Sequence, residues 1–195
     1  MNASNIIKEK NAQRKIIKEK TDSLTEAYCK NSDEGIYENI ISLNDFQRAT
    51  FIFCFASVEK EINTYSIIRH AWRKGKRVAV PKCIGRGIME IYEIHSFDDL
   101  EPGAYNIPEP KKGCKLIAPS QIDFSIIPCL SCDREGRRLG HGGGYYDRYL
   151  EDTDFVTAAI CRDMLLLDKV QAEPHDRNVD YVITENHIIG TRVSL

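Results

Sequence analysis

Apolar positions along the chain change period several times, and each change predicts an element. Residues 5–30 carry good helix formers, no glycine or proline, and Ile16, Ile17 and Leu24 as scattered apolar anchors, which predicts a helix. The run RATFIFCFA (48–56) is β-branched and aromatic, the pattern of a strand buried on both faces. From Glu59 to Lys74 the pattern turns helical, with Ile62, Tyr65, Ile67, Ile68 and Trp72 on the apolar side. Gly75 is placed to stop that helix, because it can adopt the left-handed conformation. RVAVPKC follows after a minimal turn and completes a β-α-β unit. Residues 88–94 alternate and suit an edge strand, and the proline-rich EPGAYNIPEPKKG (101–113) reads as an extended connection. IDFSIIP (122–128), TAAIC (157–161) and VDYVIT (179–184) supply further strands. Strands alternating with helices predict one three-layer α/β domain over residues 1–195. Its sheet is mainly parallel and flanked by helices, with the basic helix of residues 1–30 packed on it.

Composition adds bounds rather than detail. A chain of 195 residues, 42% hydrophobic and 29% charged, has ordinary globular usage and enough length to bury a core. A net charge of −2 speaks against nucleic acid as a partner, although Lys8, Lys10, Arg14, Lys15, Lys18 and Lys20 crowd one short segment. No stretch has the length of an apolar membrane span, and the N-terminus lacks the apolar centre of a secretory signal. The seven cysteines are scattered, several of them in apolar runs, as expected for buried thiols in a reducing, cytoplasmic compartment. Cys129 and Cys132 form a CxxC, but no second pair has zinc-site spacing. The pair follows a strand rather than opening a helix, so it reads as packing.

The segment GRRLGHGGGYYDRYL (136–150) gives up backbone order, so a compensating task is expected of it. It should lie beyond the carboxyl end of a strand, leading into a helix opened by Tyr145, Tyr146, Asp147 and Arg148. That is where open α/β sheets bind ligands. Glycines admit an anion close to backbone N–H groups, a helix start favours negative charge, and Arg137, Arg138 and Arg148 can add charge-assisted hydrogen bonds. No Lys-Ser/Thr follows the glycines and their spacing is not the dinucleotide fingerprint. The residues thus read as an anion or phosphate site, or as a flexible turn. Lys10 and Arg14, four apart, share a helix face that either meets a phosphate group or is simply solvated.

RLGHGGGYYDRYL resembles the signature of the 5-formyltetrahydrofolate cyclo-ligases, and the resemblance spans nearly the whole chain. Lys10 and Arg14, EINTYSII around Glu61, GKRVAVPK, YNIPEP, IDFSIIP and HDRNVDYVITE fall in the family's order. The resemblance implies conversion of 5-formyltetrahydrofolate to 5,10-methenyltetrahydrofolate, with ATP as co-substrate and Mg2+ as cofactor, through a phosphorylated formyl group. It assigns ATP to Lys10, Arg14, Arg138, Leu139, Gly140, His141, Gly142, Gly143, Gly144, Tyr145 and Tyr146. The folate falls to Arg14, Ala56, Glu61, Tyr105, His141, Gly142, Gly143, Gly144 and Tyr145. Asp147 and Asp176 match the magnesium positions. The family's small and aromatic residues before the loop are replaced here by Ser131 and Cys132, and Gly143 stands where some members have lysine. A non-catalytic nucleotide- or phosphometabolite-binding protein on the same scaffold is the alternative. It would not need Glu61, Asp147 and Asp176 together. No nucleic-acid or membrane partner is expected.

Overall fold

The run FIFC forms the central strand β1 (Phe51–Cys54), buried along its whole length because the sheet continues on both sides and both faces are covered. The computed structural model that defines the fold describes residues 3–103, 106–173 and 176–191. Three helices precede β1: α1 (Ala3–Asp22), α2 (Glu26–Ser42) and α3 (Asn44–Arg48). The single helix expected over 5–30 is therefore two. It breaks after Asp22 because Thr25 caps α2, its hydroxyl accepting from the Tyr28 amide at 3.2 Å.

After β1 the chain loops before α4 (Tyr65–Arg73), so residues 59–64 are not helical as expected. Thr64 prevents it: its hydroxyl donates to the Phe55 carbonyl at 2.7 Å and accepts from the Ser57 amide at 3.0 Å. Ser57 Oγ returns the bond by accepting from the Thr64 amide. Gly75, at φ +72, ends the helical segment as expected, its amide donating to the Trp72 carbonyl. Then come β2 (Arg77–Gly85), β3 (Ile88–Ile94), β4 (Leu100–Pro102), β5 (Pro108–Pro110), β6 (Lys115–Ile117) and β7 (Phe124–Ile127). A small hairpin of β8 (Ser131–Cys132) and β9 (Arg138–Leu139) leads to α5 (Tyr145–Tyr149), and β10 (Val156–Ile160), β11 (Tyr181–Ile183) and β12 (Ile188–Gly190) complete the order.

The eight-stranded sheet runs β12-β11-β10-β7-β1-β2-β3-β6. Its centre, β11-β10-β7-β1-β2, is parallel; β12, β3 and β6 are antiparallel additions. Strand β3 is not an edge, since β6 pairs with it outside. Side chains alternate across the sheet. Ile52, Cys54, Val78, Val80, Phe124 and Ile126 face Ile36, Ile40, Phe46, Ile67 and Ile68 of α2, α3 and α4. Phe51, Phe53, Ala79 and Ile127 face the other way, toward α5 and the loops around it. That second layer is thinner than expected, because α5 is a single turn.

Strand order reverses at β1: the chain steps from β1 to β2 on one side and later places β7, β10 and β11 on the other. The carboxyl ends of β1 and β7 thus flank a topological switch point, where a crevice for ligands is expected.

Candidate active site

Three strand ends and one helix build the site. Ala56 is buried just beyond β1, Cys129 lies just beyond β7, and Arg162 just beyond β10. Arg162 is almost wholly buried and ties three elements together. Its Nη1 reaches the Ser32 hydroxyl at 2.5 Å and Asp33 at 2.6 Å on α2, and its Nη2 reaches the Glu61 carbonyl at 3.4 Å. Sequence reasoning missed this arginine; its one signal is a charge directly after an apolar strand.

Glu61 sits in the loop after β1, not on a helix. Its Oε2 accepts from the Val58 amide at 2.8 Å. Burial pushes its carboxyl above the ordinary glutamate value, while that amide and the charge of His141 pull it back. The field of His141 on Glu61 relates the glycine loop to the loop after β1.

The hairpin β8–β9 presents the loop. Asp133, fully buried, accepts from the Arg137 amide at 3.1 Å and from Arg137 Nε at 2.6 Å, and it also accepts from the Val170 amide at 2.7 Å. Gly136 must be glycine, because φ is +82 and a Cβ would stand 2.6 Å from the Val179 carbonyl. Beyond the hairpin, Gly142 (φ +93) and Gly144 (φ +67) take left-handed conformations that turn residues 140–144 into α5. A one-turn helix lends little dipole, so the positive character here comes from side chains.

Those side chains are placed by α1. Ile17 packs without exposure against Leu139 and Val170, fixing the helix on the hairpin. One turn earlier, Arg14 Nε donates to the Gly140 carbonyl at 2.8 Å. Another turn back, Lys10 Nζ bonds Glu173 at 3.0 Å and Asp176 at 2.5 Å. Lys10 is 7% exposed, so this face of α1 is not a solvated basic stripe. Because Lys10 and Arg14 are neighbours on α1, they bring Asp176 and the loop to one end of the molecule.

Asp147 on α5 pairs with Arg138, at 2.8 Å from Nη2. Arg138 Nε has no hydrogen-bond partner among the described residues. Arg148 Nη1 clips the loop to the β2–β3 turn through the carbonyls of Gly143 (2.9 Å) and Gly87 (3.1 Å). Tyr146 stacks on Phe53 of β1 at 6.1 Å and 11°, and Tyr145 packs beside the same apolar layer. Leu139 is buried, so it can offer a ligand only backbone. His141, Gly142 and Gly143 are exposed. Tyr105 lies outside the described residues.

The arrangement joins Asp176 to Lys10, the loop carbonyl of Gly140 to Arg14 and Asp147 to Arg138, with the half-buried Glu61 within the field of His141. It suits transfer of a phosphoryl group, in which positioning and charge do most of the work. The hard oxygens of Asp147 and Asp176 suit magnesium, which takes one or two carboxylates together with phosphate oxygens.

The profile described as the 5-formyltetrahydrofolate cyclo-ligase family matches residues 6–185. A Schizosaccharomyces pombe protein named as a probable 5-formyltetrahydrofolate cyclo-ligase is 25% identical over 92% of this chain and 97% of its own length. The Escherichia coli 5-formyltetrahydrofolate cyclo-ligase is 31% identical over 69% of this chain and 77% of its own. The solution structure of Aquifex aeolicus 5,10-methenyltetrahydrofolate synthetase superposes with a TM-score of 0.85 at 26% identity, covering 95% of this chain and 94% of that one.

Proposed function

The chain belongs to the 5-formyltetrahydrofolate cyclo-ligase family, and from that premise we propose how its residues divide the family's reaction. The enzyme converts 5-formyltetrahydrofolate and ATP into 5,10-methenyltetrahydrofolate, ADP and phosphate. An N-formyl oxygen is a poor leaving group. Attack of that oxygen on the γ-phosphorus releases ADP and makes it part of a phosphate ester. N10 then attacks the formyl carbon, the C–O bond breaks, and phosphate leaves as N10 loses its proton.

Lys10, Arg14 and Arg138 hold the triphosphate, together with the backbone of residues 139–146. Ala56, Glu61 and Tyr105 hold the pterin, with Glu61 accepting from its amino group and ring N–H. Arg14 and residues 141–145 lie between the two ligands. Asp147 and Asp176 are the residues that would hold magnesium, which when bound neutralises phosphate oxygens. For that to happen, Arg138 and Lys10 must loosen from these carboxylates and turn to the nucleotide.

The observation that carries this reading is the double anchorage of α1, with Arg14 on the glycine loop and Lys10 on Asp176. It gathers the expected phosphate cations, loop and metal carboxylate at one place. We read the chain as one catalytic unit. We also place it in the cytoplasm, in keeping with seven free cysteines; among the described residues no helix is long and apolar enough to cross a membrane. Oxygen labelling tests the chemistry. Substrate carrying 18O in the formyl group should deliver that label to inorganic phosphate, and label lost to bulk water instead would contradict the phosphorylated formyl group.

A further inference from the structure

Apart from the groups assigned to nucleotide, folate and magnesium, one cluster of metal-ligating atoms stands out among the described residues. Cys129, Cys132 and Cys161 hold their sulfurs within 4.8 Å of one another. The fold brings Cys161 to the CxxC of Cys129 and Cys132. Strands β7 and β10 are parallel neighbours, so their carboxyl ends deliver Cys129 and Cys161 side by side. The turn into β8 then folds Cys132 back onto both. Cys132 and Cys161 are buried, at 0% and 2% exposure, and the triad reaches solvent only at the half-buried Cys129. The other four cysteines take no part.

We propose that Cys129, Cys132 and Cys161 form a binding site for one thiophilic divalent cation of the zinc class. Sulfur ligands at about 2.3 Å around a tetrahedral ion stand about 3.8 Å apart, so the sulfurs need close by no more than about 1 Å. Each ligating thiol gives its proton to water, and three thiolates with a divalent ion leave one negative charge. Arg138 is placed to balance it: its positive charge acts on Cys129, as does that of His141. The Cys129 thiol donates to the Ile160 carbonyl at 3.3 Å and the Cys161 thiol to the Arg162 carbonyl at 3.4 Å, so both sulfurs are held at the strand ends. The fourth corner takes a water molecule from the open side of Cys129. Soft sulfur selects against magnesium, which keeps this site chemically apart from Asp147 and Asp176.

Cobalt(II), a zinc surrogate with visible spectra, is the probe. Titrated into the reduced full-length chain, it should give thiolate-to-cobalt charge transfer and tetrahedral d–d bands that saturate at one equivalent and vanish when zinc is added. Cys132→Ser and Cys161→Ser should each weaken binding at least about tenfold, while Cys114→Ser leaves it unchanged. A buried serine can cost the fold itself, so X-ray absorption of the zinc-loaded wild type supplies an independent count of three sulfurs. A folded, reduced wild type without the charge-transfer band overturns the proposal, as does a zinc shell of nitrogen and oxygen alone; the sulfurs would then be packing. Neither readout depends on folate chemistry.

Discussion

Burial pulls Glu61 toward its protonated form more strongly than the Val58 amide and His141 pull it back. A carboxyl with a raised folded-state pKa binds its proton more tightly when folded. Its contribution is present below the ordinary value of 4.5 and is lost as pH rises through the raised one. Glu61→Gln should therefore flatten the pH dependence of urea melts just above pH 4.5. In the same variant folate affinity should fall while ATP affinity holds; equal loss of both ligands would make Glu61 a structural residue. On the phosphate side, Arg14→Ala should weaken ATP roughly tenfold or more, since a charge-assisted bond contributes about 1.5–3 kcal/mol. Calorimetric ATP titrations that match wild type would contradict it. Asp147→Asn and Asp176→Asn should raise the magnesium concentration needed for turnover without unfolding the chain, and an unchanged magnesium curve would remove them from the metal. The pairing of Lys10 with Arg14 was legible because both lie on one helix at a spacing of four. Glu173, the second partner of Lys10, and the buried Arg162 were not, because contacts across 163 and 101 positions leave no local pattern.

The glycine loop and α1 act as one element. Gly144 stands at φ +67, and a Cβ there would also come within 3.1 Å of Arg148. Gly144→Ala should thus cost about 1–2 kcal/mol of stability and weaken ATP through a displaced loop, readable in thermal melts beside nucleotide titrations. An unaltered melt would mean the loop accepts an L residue without strain. Elements with strong periodicity were legible from the sequence: β1, β2, β7, β10, β11, the core of α4 and its glycine stop. Boundaries set by side-chain bonds to backbone were not. Thr25 splits the N-terminal helix, and the exchange between Ser57 and Thr64 holds residues 59–64 out of α4. The hairpin carrying the loop was also missed, because its strands are two residues each and its organiser, Asp133, looks like an ordinary polar loop residue.

At the scale of the whole molecule, the parallel core and its reversal at β1 put the ends of β1, β7 and β10 side by side, and α1 is anchored beside them through Ile17, Arg14 and Lys10. The α/β class and mainly parallel sheet were legible because long apolar runs alternate with helical patterns. The antiparallel additions β6 and β12 were not, since three-residue strands carry too little periodicity. Convergence of the cysteines was hidden too, because Cys161 lies far from the visible CxxC. ATP-driven ring closure is read in the absorbance of 5,10-methenyltetrahydrofolate. Purified chain mixed with 5-formyltetrahydrofolate, ATP and magnesium should develop that absorbance, with one ADP released per product and none formed when ATP is withheld. Folded protein that binds both ligands yet produces no ATP-dependent absorbance would contradict the account.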